Sequence, residues 1–161
     1  GKKGSGKTKQ MIEMINNAVQ TEHGNVVCIE KGNKLTFDIH YQIRLVEASQ
    51  YNVDSYTALK GFISGLYAGN YDITHVFIDS LTKIVEGEPD LETEKFLDWL
   101  NNFGEKHNIK FTITKAPVSA INGLFDCFKL AEKISLVFAK SSLNAGIAIS
   151  TVMINGINAG T

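Results

Sequence analysis

Arginine is almost absent from this chain, because Arg44 is the only one among its 161 residues. Cysteine is scarce too, and Cys28 and Cys127 both lie in apolar surroundings without metal-ligand spacing. We therefore expect two reduced, buried thiols in a cytoplasmic protein rather than a disulfide framework. The four histidines are scattered singly along the chain, which argues against a histidine-based metal cluster.

A strong net charge is also missing, since 16 basic and 17 acidic residues leave a formal net charge of −1. This balance gives no general attraction for polyanions, so nucleic acid is not indicated as a partner. The last 21 residues carry no charge, yet they contain three Asn, three Ser and two Thr. A membrane span needs about 20 mainly apolar residues, so this composition argues against a membrane partner.

The charged residues are distributed unevenly along a chain whose length suits a single domain. Residues 1–115 hold 28 of the 33 charged side chains, and residues 116–161 hold the other five. We therefore predict a core over residues 1–115. The low-charge tail over residues 116–161 belongs to the same domain or lies at its periphery.

Within the predicted core, apolar residues alternate between the spacing of helices and that of buried strands. The helical spacing covers residues 7–23, 55–69 and 91–108. Short apolar runs of buried-strand type cover residues 25–30, 74–80 and 109–114. Residues 37–48 alternate apolar and polar side chains, which predicts a half-buried extended stretch. Together these segments predict an α/β fold with a mainly parallel sheet flanked by helices.

The tail is harder to interpret. Residues 121–140 have the apolar spacing of an amphipathic helix, and residues 146–154 have the composition of a strand. Three arrangements stay open: a peripheral helix and strand, a strand that enters the sheet, or a poorly folded end.

The most specific signal is GKKGSGKT at residues 1–8, which meets the pattern G-x-x-x-x-G-K-[ST]. Its glycines let several backbone N–H groups face one anion, and a following helix N-terminus adds partial positive charge. The lysine of this pattern reaches the β- and γ-phosphates, and its last hydroxyl binds Mg²⁺. The sequence therefore predicts a nucleotide-binding loop made of Gly1, Lys2, Lys3, Gly4, Ser5, Gly6, Lys7 and Thr8. Two of these side chains, Lys2 and Lys3, either help to hold the phosphates or stay solvated.

Acidic residues end two of the predicted strands. Asp79 follows a buried run, where an α/β sheet presents its ligands, and we expect it to hold Mg²⁺ through water. Many P-loop ATPases place a glutamate directly after this aspartate, but here the next residue is Ser80. Glu30, at the end of the predicted strand 25–30, is the candidate that activates water. The alternative is that Glu30 simply ends a strand and meets solvent.

These segments together, GKKGSGKT, VVCIE and HVFIDSLTKI, resemble the core of RecA/KaiC-type P-loop ATPases over residues 1–115. The resemblance implies Mg-ATP binding and hydrolysis, with Thr8 and Asp79 at the metal and Glu30 as the catalytic residue. It also implies that Thr114 or Lys115 senses the γ-phosphate. In this family a strand precedes the loop, so we expect a P-loop NTPase fold whose leading strand is missing from the chain. The strand predicted over residues 146–154 can fill that gap and lead back towards Gly1.

The sequence also departs from this family. It has no identifiable aromatic clamp for the base and no basic DNA-binding loops, so a protein partner or homo-oligomer stays possible but unidentified. A small P-loop kinase is an alternative, although such kinases use lid arginines and this chain has only Arg44. A nucleotide-binding module without turnover is the other alternative.

Overall fold

The computed structural model describes residues 7–87, 90–116, 134–138 and 150–155, with side chains over residues 9–87 and 90–113. The described helices are α1 Lys7–Thr21, α2 Tyr56–Gly69, α3 Leu81–Val85 and α4 Leu91–His107, with a 3₁₀ turn at Ala48–Tyr51. The described strands are β1 Asn25–Glu30, β2 Arg44–Glu47, β3 Ile73–Asp79, β4 Lys110–Ala116, β5 Ile134–Phe138 and β6 Ser150–Asn155.

The described strands form one sheet in the order β2-β1-β3-β4-β6-β5. The first four strands run parallel, whereas β6 runs antiparallel to both β4 and β5. The predicted α/β class, with a mainly parallel sheet flanked by helices, is therefore confirmed.

The central strands are buried on both faces, as their continuous apolar sequences predict. On one face, Val27 and Ile29 of β1 pack in a core with Leu59 of α2 and Leu97 of α4. On the other face, Cys28 of β1 packs in a second core with α1. Cys28 is a buried free thiol, as predicted, and Cys127 lies outside the described residues. No helix in the described part of the chain has the length and apolar character needed to cross a bilayer.

A tight turn sets the direction of α1. Only residues 22–24 separate α1 from β1, and a Cβ on Gly24 would lie 2.2 Å from the Asp72 backbone oxygen. Only glycine fits this approach, because any side chain would force the backbone apart. This turn reverses the direction of the chain, and α1 packs along β1, so the helix runs antiparallel to the strand. The N-terminal end of α1 therefore lies at the carboxyl ends of the parallel strands.

Helix caps agree with the sequence where capping residues are present. Ser55 caps α2, because its side chain accepts a hydrogen bond from the backbone N–H of Ala58 at 3.2 Å. Asp90 caps α4 and forms a capping box with Thr93. Leu91 has the apolar spacing of the inward face of α4, but it is 63% exposed because it begins the helix, ahead of the packed turns.

The extended stretch predicted over residues 37–48 is wrong for its first half. Residues 37–42 form turns, and the strand is limited to Arg44–Glu47. The backbone N–H groups of Asp38 and Ile39 donate to the Leu35 carbonyl oxygen at 3.0 and 3.1 Å, which folds the chain back on itself. Apolar side chains of this segment then pack beside α1 rather than alternating across a sheet.

The helix predicted over residues 121–140 is wrong for Ile134–Phe138, which forms β5 because its backbone groups pair with β6. The rest of that prediction lies outside the described residues. The strand predicted over 146–154 is confirmed for Ser150–Asn155. Its direction differs from the expectation: Asn155 pairs with Lys110 at the start of β4, so β6 leads away from the edge where α1 begins.

Candidate functional site

Two predicted site residues meet at the carboxyl ends of the parallel strands. Glu30, the last residue of β1, is the register partner of Asp79, the last residue of β3. Asp79 is in turn the register partner of Thr114 on β4. Neighbouring strands lie about 4.8 Å apart, so the three positions form a short row across this edge. For Thr114 the structure describes the backbone position alone.

The row extends by one residue, Glu47, that was not among the residues predicted from the sequence. Glu47 ends β2 and is the register partner of Glu30. Its carboxylate accepts hydrogen bonds from Ser49 at 3.0 Å and Gln50 at 2.7 Å. Glu47 could not be recognised from the sequence as a residue at a strand end, because the extended stretch was predicted to continue to residue 48.

The predicted phosphate loop lies mostly outside the described residues, which begin at Lys7. Lys7 and Thr8 form the start of α1, and their backbone alone is described. Because α1 begins at the carboxyl edge of the sheet, the helix that follows GKKGSGKT opens at the same edge as Glu30 and Asp79.

Asp79 lies between the sheet and a helix. It is 8% exposed, and the peptide that joins it to Ser80 is cis. The backbone oxygen of Ser80 accepts from the N–H groups of Lys83 and Ile84 at 3.0 and 3.1 Å, which begins α3. This short helix, α3, has no counterpart among the segments predicted from the sequence. Burial raises the pKa of the Cys28 thiol, and the nearby charges of Asp79 and Glu30 reinforce that effect.

Glu30 is buried and bonded to the loop that follows it. Glu30 is only 5% exposed to solvent. One carboxylate oxygen accepts the Lys34 backbone N–H at 3.0 Å, and the other accepts the Leu35 N–H at 3.1 Å. Glu30 therefore does not simply end its strand in solvent.

The pKa of Glu30 reflects competing influences. Burial is the largest and raises the pKa, because it penalises the charged form. The two backbone hydrogen bonds lower it, and the charge of Asp79 raises it again, with a net rise. A buried carboxylate of raised pKa beside a second carboxylate is the kind of arrangement found at catalytic sites, although structural networks produce it too.

No protein-family model matches this chain. No curated protein is detectably similar to it either. The resemblance to P-loop ATPases therefore depends on the residues of the chain themselves.

The loop after β1 carries features that sequence patterns do not reveal. Asn16 of α1 binds its backbone at Asp38 and His40. Phe37 and Tyr41 of the same loop are 98% and 87% exposed. A Lys31–Glu86 ion pair joins the start of this loop to the residue after α3. The loop is thus tied to both α1 and α3 while two large aromatic side chains face solvent.

A second cluster of polar groups lies at the opposite, amino edge of the sheet. Lys110 Nζ is 2.8 Å from Glu22 Oε1, and His75 Nδ1 is 3.3 Å from the same oxygen. His75 Nε2 lies 2.7 Å from the Thr112 hydroxyl. None of these residues was a sequence candidate, because they come from the turn after α1, from β3 and from β4 and share no local motif.

Burial sets the protonation state of this cluster. It lowers the pKa of His75 to about 4, and the Lys110 charge adds to that effect while Glu22 opposes it. Burial by itself would raise the pKa of Glu22, but the hydrogen bond from Lys110 and the nearby positive charge help to lower it below its ordinary value. At neutral pH the cluster therefore holds a neutral histidine beside a lysine–glutamate ion pair.

Proposed function

We propose that this chain is a RecA-like P-loop ATPase domain that binds Mg-ATP and hydrolyses it. One observation carries the proposal: Glu30 and Asp79 are register partners at the edge of the sheet where α1 begins. Ligands of open α/β sheets bind at the carboxyl ends of the strands. The complete GKKGSGKT motif leads into α1, which starts with its last two residues, so its anion-binding groups would face the same edge.

The residues available for Mg²⁺ have suitable chemistry. Thr8 would offer a hydroxyl and Asp79 a carboxylate, and Mg²⁺ prefers such hard oxygen ligands. Among the described residues no group of three or more His, Cys, Asp or Glu is arranged to hold a metal ion. Mg²⁺ keeps several waters and takes only one or two protein carboxylates, so a two-residue set fits it. When bound, Mg²⁺ neutralises charge on the β- and γ-phosphates.

The remaining roles, phosphate binding and activation of water, would belong to residues of the chain. Lys7 would bind the β- and γ-phosphates, and the loop backbone would orient them. Glu30 would orient the attacking water and accept its proton, since a raised pKa brings a base closer to neutral pH. Each carboxylate oxygen has a second lone pair, so the hydrogen bonds from Lys34 and Leu35 leave Glu30 able to accept another. Thr114, in register beside Asp79, would contact the γ-phosphate.

A second candidate function is nucleotide binding without turnover. It is favoured by the fact that both oxygens of Glu30 already accept backbone hydrogen bonds. Phosphate release from ATP with no acceptor present separates the ATPase from this module. Formation of ADP only when an acceptor is added would instead indicate a kinase.

The test of nucleotide binding compares two lysines of α1. Lys7→Ala should abolish measurable Mg-ATP affinity in calorimetry, because Lys7 contacts phosphate in the proposed site. Lys9→Ala is the matched control, since Lys9 is an exposed lysine two residues further along the helix. Equal affinity for the two variants, with both folded by circular dichroism, would remove the phosphate-loop assignment.

A further inference from the structure

Asn16 makes an unusual two-point contact with the loop after β1. Its Nδ2 donates to the Asp38 carbonyl oxygen at 2.9 Å, and its Oδ1 accepts the His40 backbone N–H at 2.7 Å. A side-chain amide that binds backbone groups on both sides of one residue fixes the orientation of that backbone as well as its distance from the helix. The middle of α1 therefore holds the loop at residues 38–40.

The same loop is anchored at its other end by Glu30. The backbone N–H groups of Lys34 and Leu35 donate to the two carboxylate oxygens at 3.0 and 3.1 Å. Leu35 is 3% exposed, and its carbonyl oxygen accepts from the N–H of Asp38 at 3.0 Å. A chain of short contacts thus links Asn16 to the carboxylate of Glu30.

We propose that Asn16 is a positioning residue for Glu30. It holds residues 33–40 in the conformation whose backbone N–H groups fix the Glu30 carboxylate at the strand end beside Asp79. Because α1 is a single helix, its rise of 1.5 Å per residue places Asn16 about 13 Å along the axis from Lys7. Asn16 therefore ties the position of Glu30 to the helix that follows the phosphate loop.

Hydrogen exchange tests the positional claim directly. In the full chain, Asn16→Ala should speed amide exchange at His40, and also at Lys34 and Leu35, by about tenfold, as expected for the loss of hydrogen bonds. Asn17→Ala is the matched control, because it makes the same substitution one position along α1 at an exposed side chain. It should leave all three amides unchanged. Faster exchange at His40 alone would overturn the proposal, because Glu30 would then be held without Asn16.

Catalytic rates give a second readout, which rests on the proposed function. Misplacement of a catalytic group costs rate rather than ground-state binding, so Asn16→Ala should lower kcat for ATP hydrolysis about tenfold or more and leave KM within about twofold. Asn16→Asp keeps the acceptor for the His40 N–H and should give intermediate exchange and an intermediate kcat. It also serves as the test variant if Asn16→Ala fails to fold.

The two readouts separate failure of the inference from failure of the proposed function. If Glu30→Gln leaves hydrolysis unchanged, Glu30 is not the base, and exchange at Lys34 and Leu35 still decides whether Asn16 positions it. If Glu30→Gln is inactive while Asn16→Ala and Asn17→Ala have equal kcat, Asn16 has no positioning role in the reaction.

Discussion

The two edges of the parallel sheet bury acidic side chains in different ways. At the amino edge, Glu22 is paired with Lys110 and its pKa is lowered. At the carboxyl edge, Glu30 is held by backbone N–H groups beside the like charge of Asp79, and its pKa is raised. At the amino edge, Lys110 balances the negative charge of Glu22. At the carboxyl edge, two carboxylates lie at neighbouring strand ends.

This difference indicates which edge of the sheet is suited to bind a cation. Two neighbouring carboxylates repel each other when both are ionised, and a cation bound beside them relieves that repulsion. Glu22 differs, because Lys110 already places a positive charge beside it. Changes at the amino edge should therefore alter stability, and changes at the carboxyl edge should alter the reaction with nucleotide.

The largest expected effect is on turnover at the carboxyl edge. Glu30→Gln should retain Mg-ATP binding and lose about a hundredfold or more in the rate of phosphate release, as for a lost general base. Glu47→Gln is the control, since Glu47 ends the adjacent strand and has no assigned role. A rate of phosphate release for Glu30→Gln equal to that of the parent chain would remove Glu30 from the mechanism.

At the amino edge the expected effect is on stability. Glu22→Gln should lower the free energy of unfolding by about 2–3 kcal/mol, because it removes the charged partner of Lys110 from a largely buried site. Glu13→Gln, on the exposed side of α1, should stay within about 0.5 kcal/mol of the parent in urea denaturation. If the two variants are equally stable, the amino-edge cluster does not contribute as inferred.

Acidic pH should weaken the amino edge through His75. Its pKa is about 4 in the folded chain and about 6.5 when unfolded. The unfolded state therefore binds more protons between these values, and stability present above pH 6.5 is lost as the pH falls towards 4. The share due to His75 is about 2 kcal/mol between pH 7 and 5. His75→Gln should flatten this part of the pH dependence of unfolding, and an unaltered slope would contradict the assignment.

The smallest effect is expected from the exposed ion pair at the carboxyl edge. The side chains of Lys31 and Glu86 are 39% and 67% exposed, so water screens their interaction. Lys31→Met should therefore leave the free energy of unfolding close to that of the parent chain. Lys110→Met should cost more, because it leaves Glu22 buried without its lysine. The reverse order in thermal denaturation would show that the two edges do not differ in this way.

Local sequence determined the elements with a clear period. The apolar residues of α1 and α4 recur at helical spacing, and the segments that became β1, β3 and β4 are short and rich in apolar residues. These signals come from residues close together in the chain, so they are readable without the fold. Where a short apolar run fits either period, as in Ile134–Phe138, the sequence predicted a helix and partner strands decided for a strand.

The candidate site divides along the same line. The sequence by itself identified GKKGSGKT and two acids at predicted strand ends, Glu30 and Asp79. Only the tertiary structure decided their register, the hydrogen bonds of Asn16, and the contact between Glu22 and Lys110, which are 88 residues apart. Strand order and helix packing bring such residues together, and their energies depend on burial and on groups distant in the chain. No local pattern of residue types records those contacts.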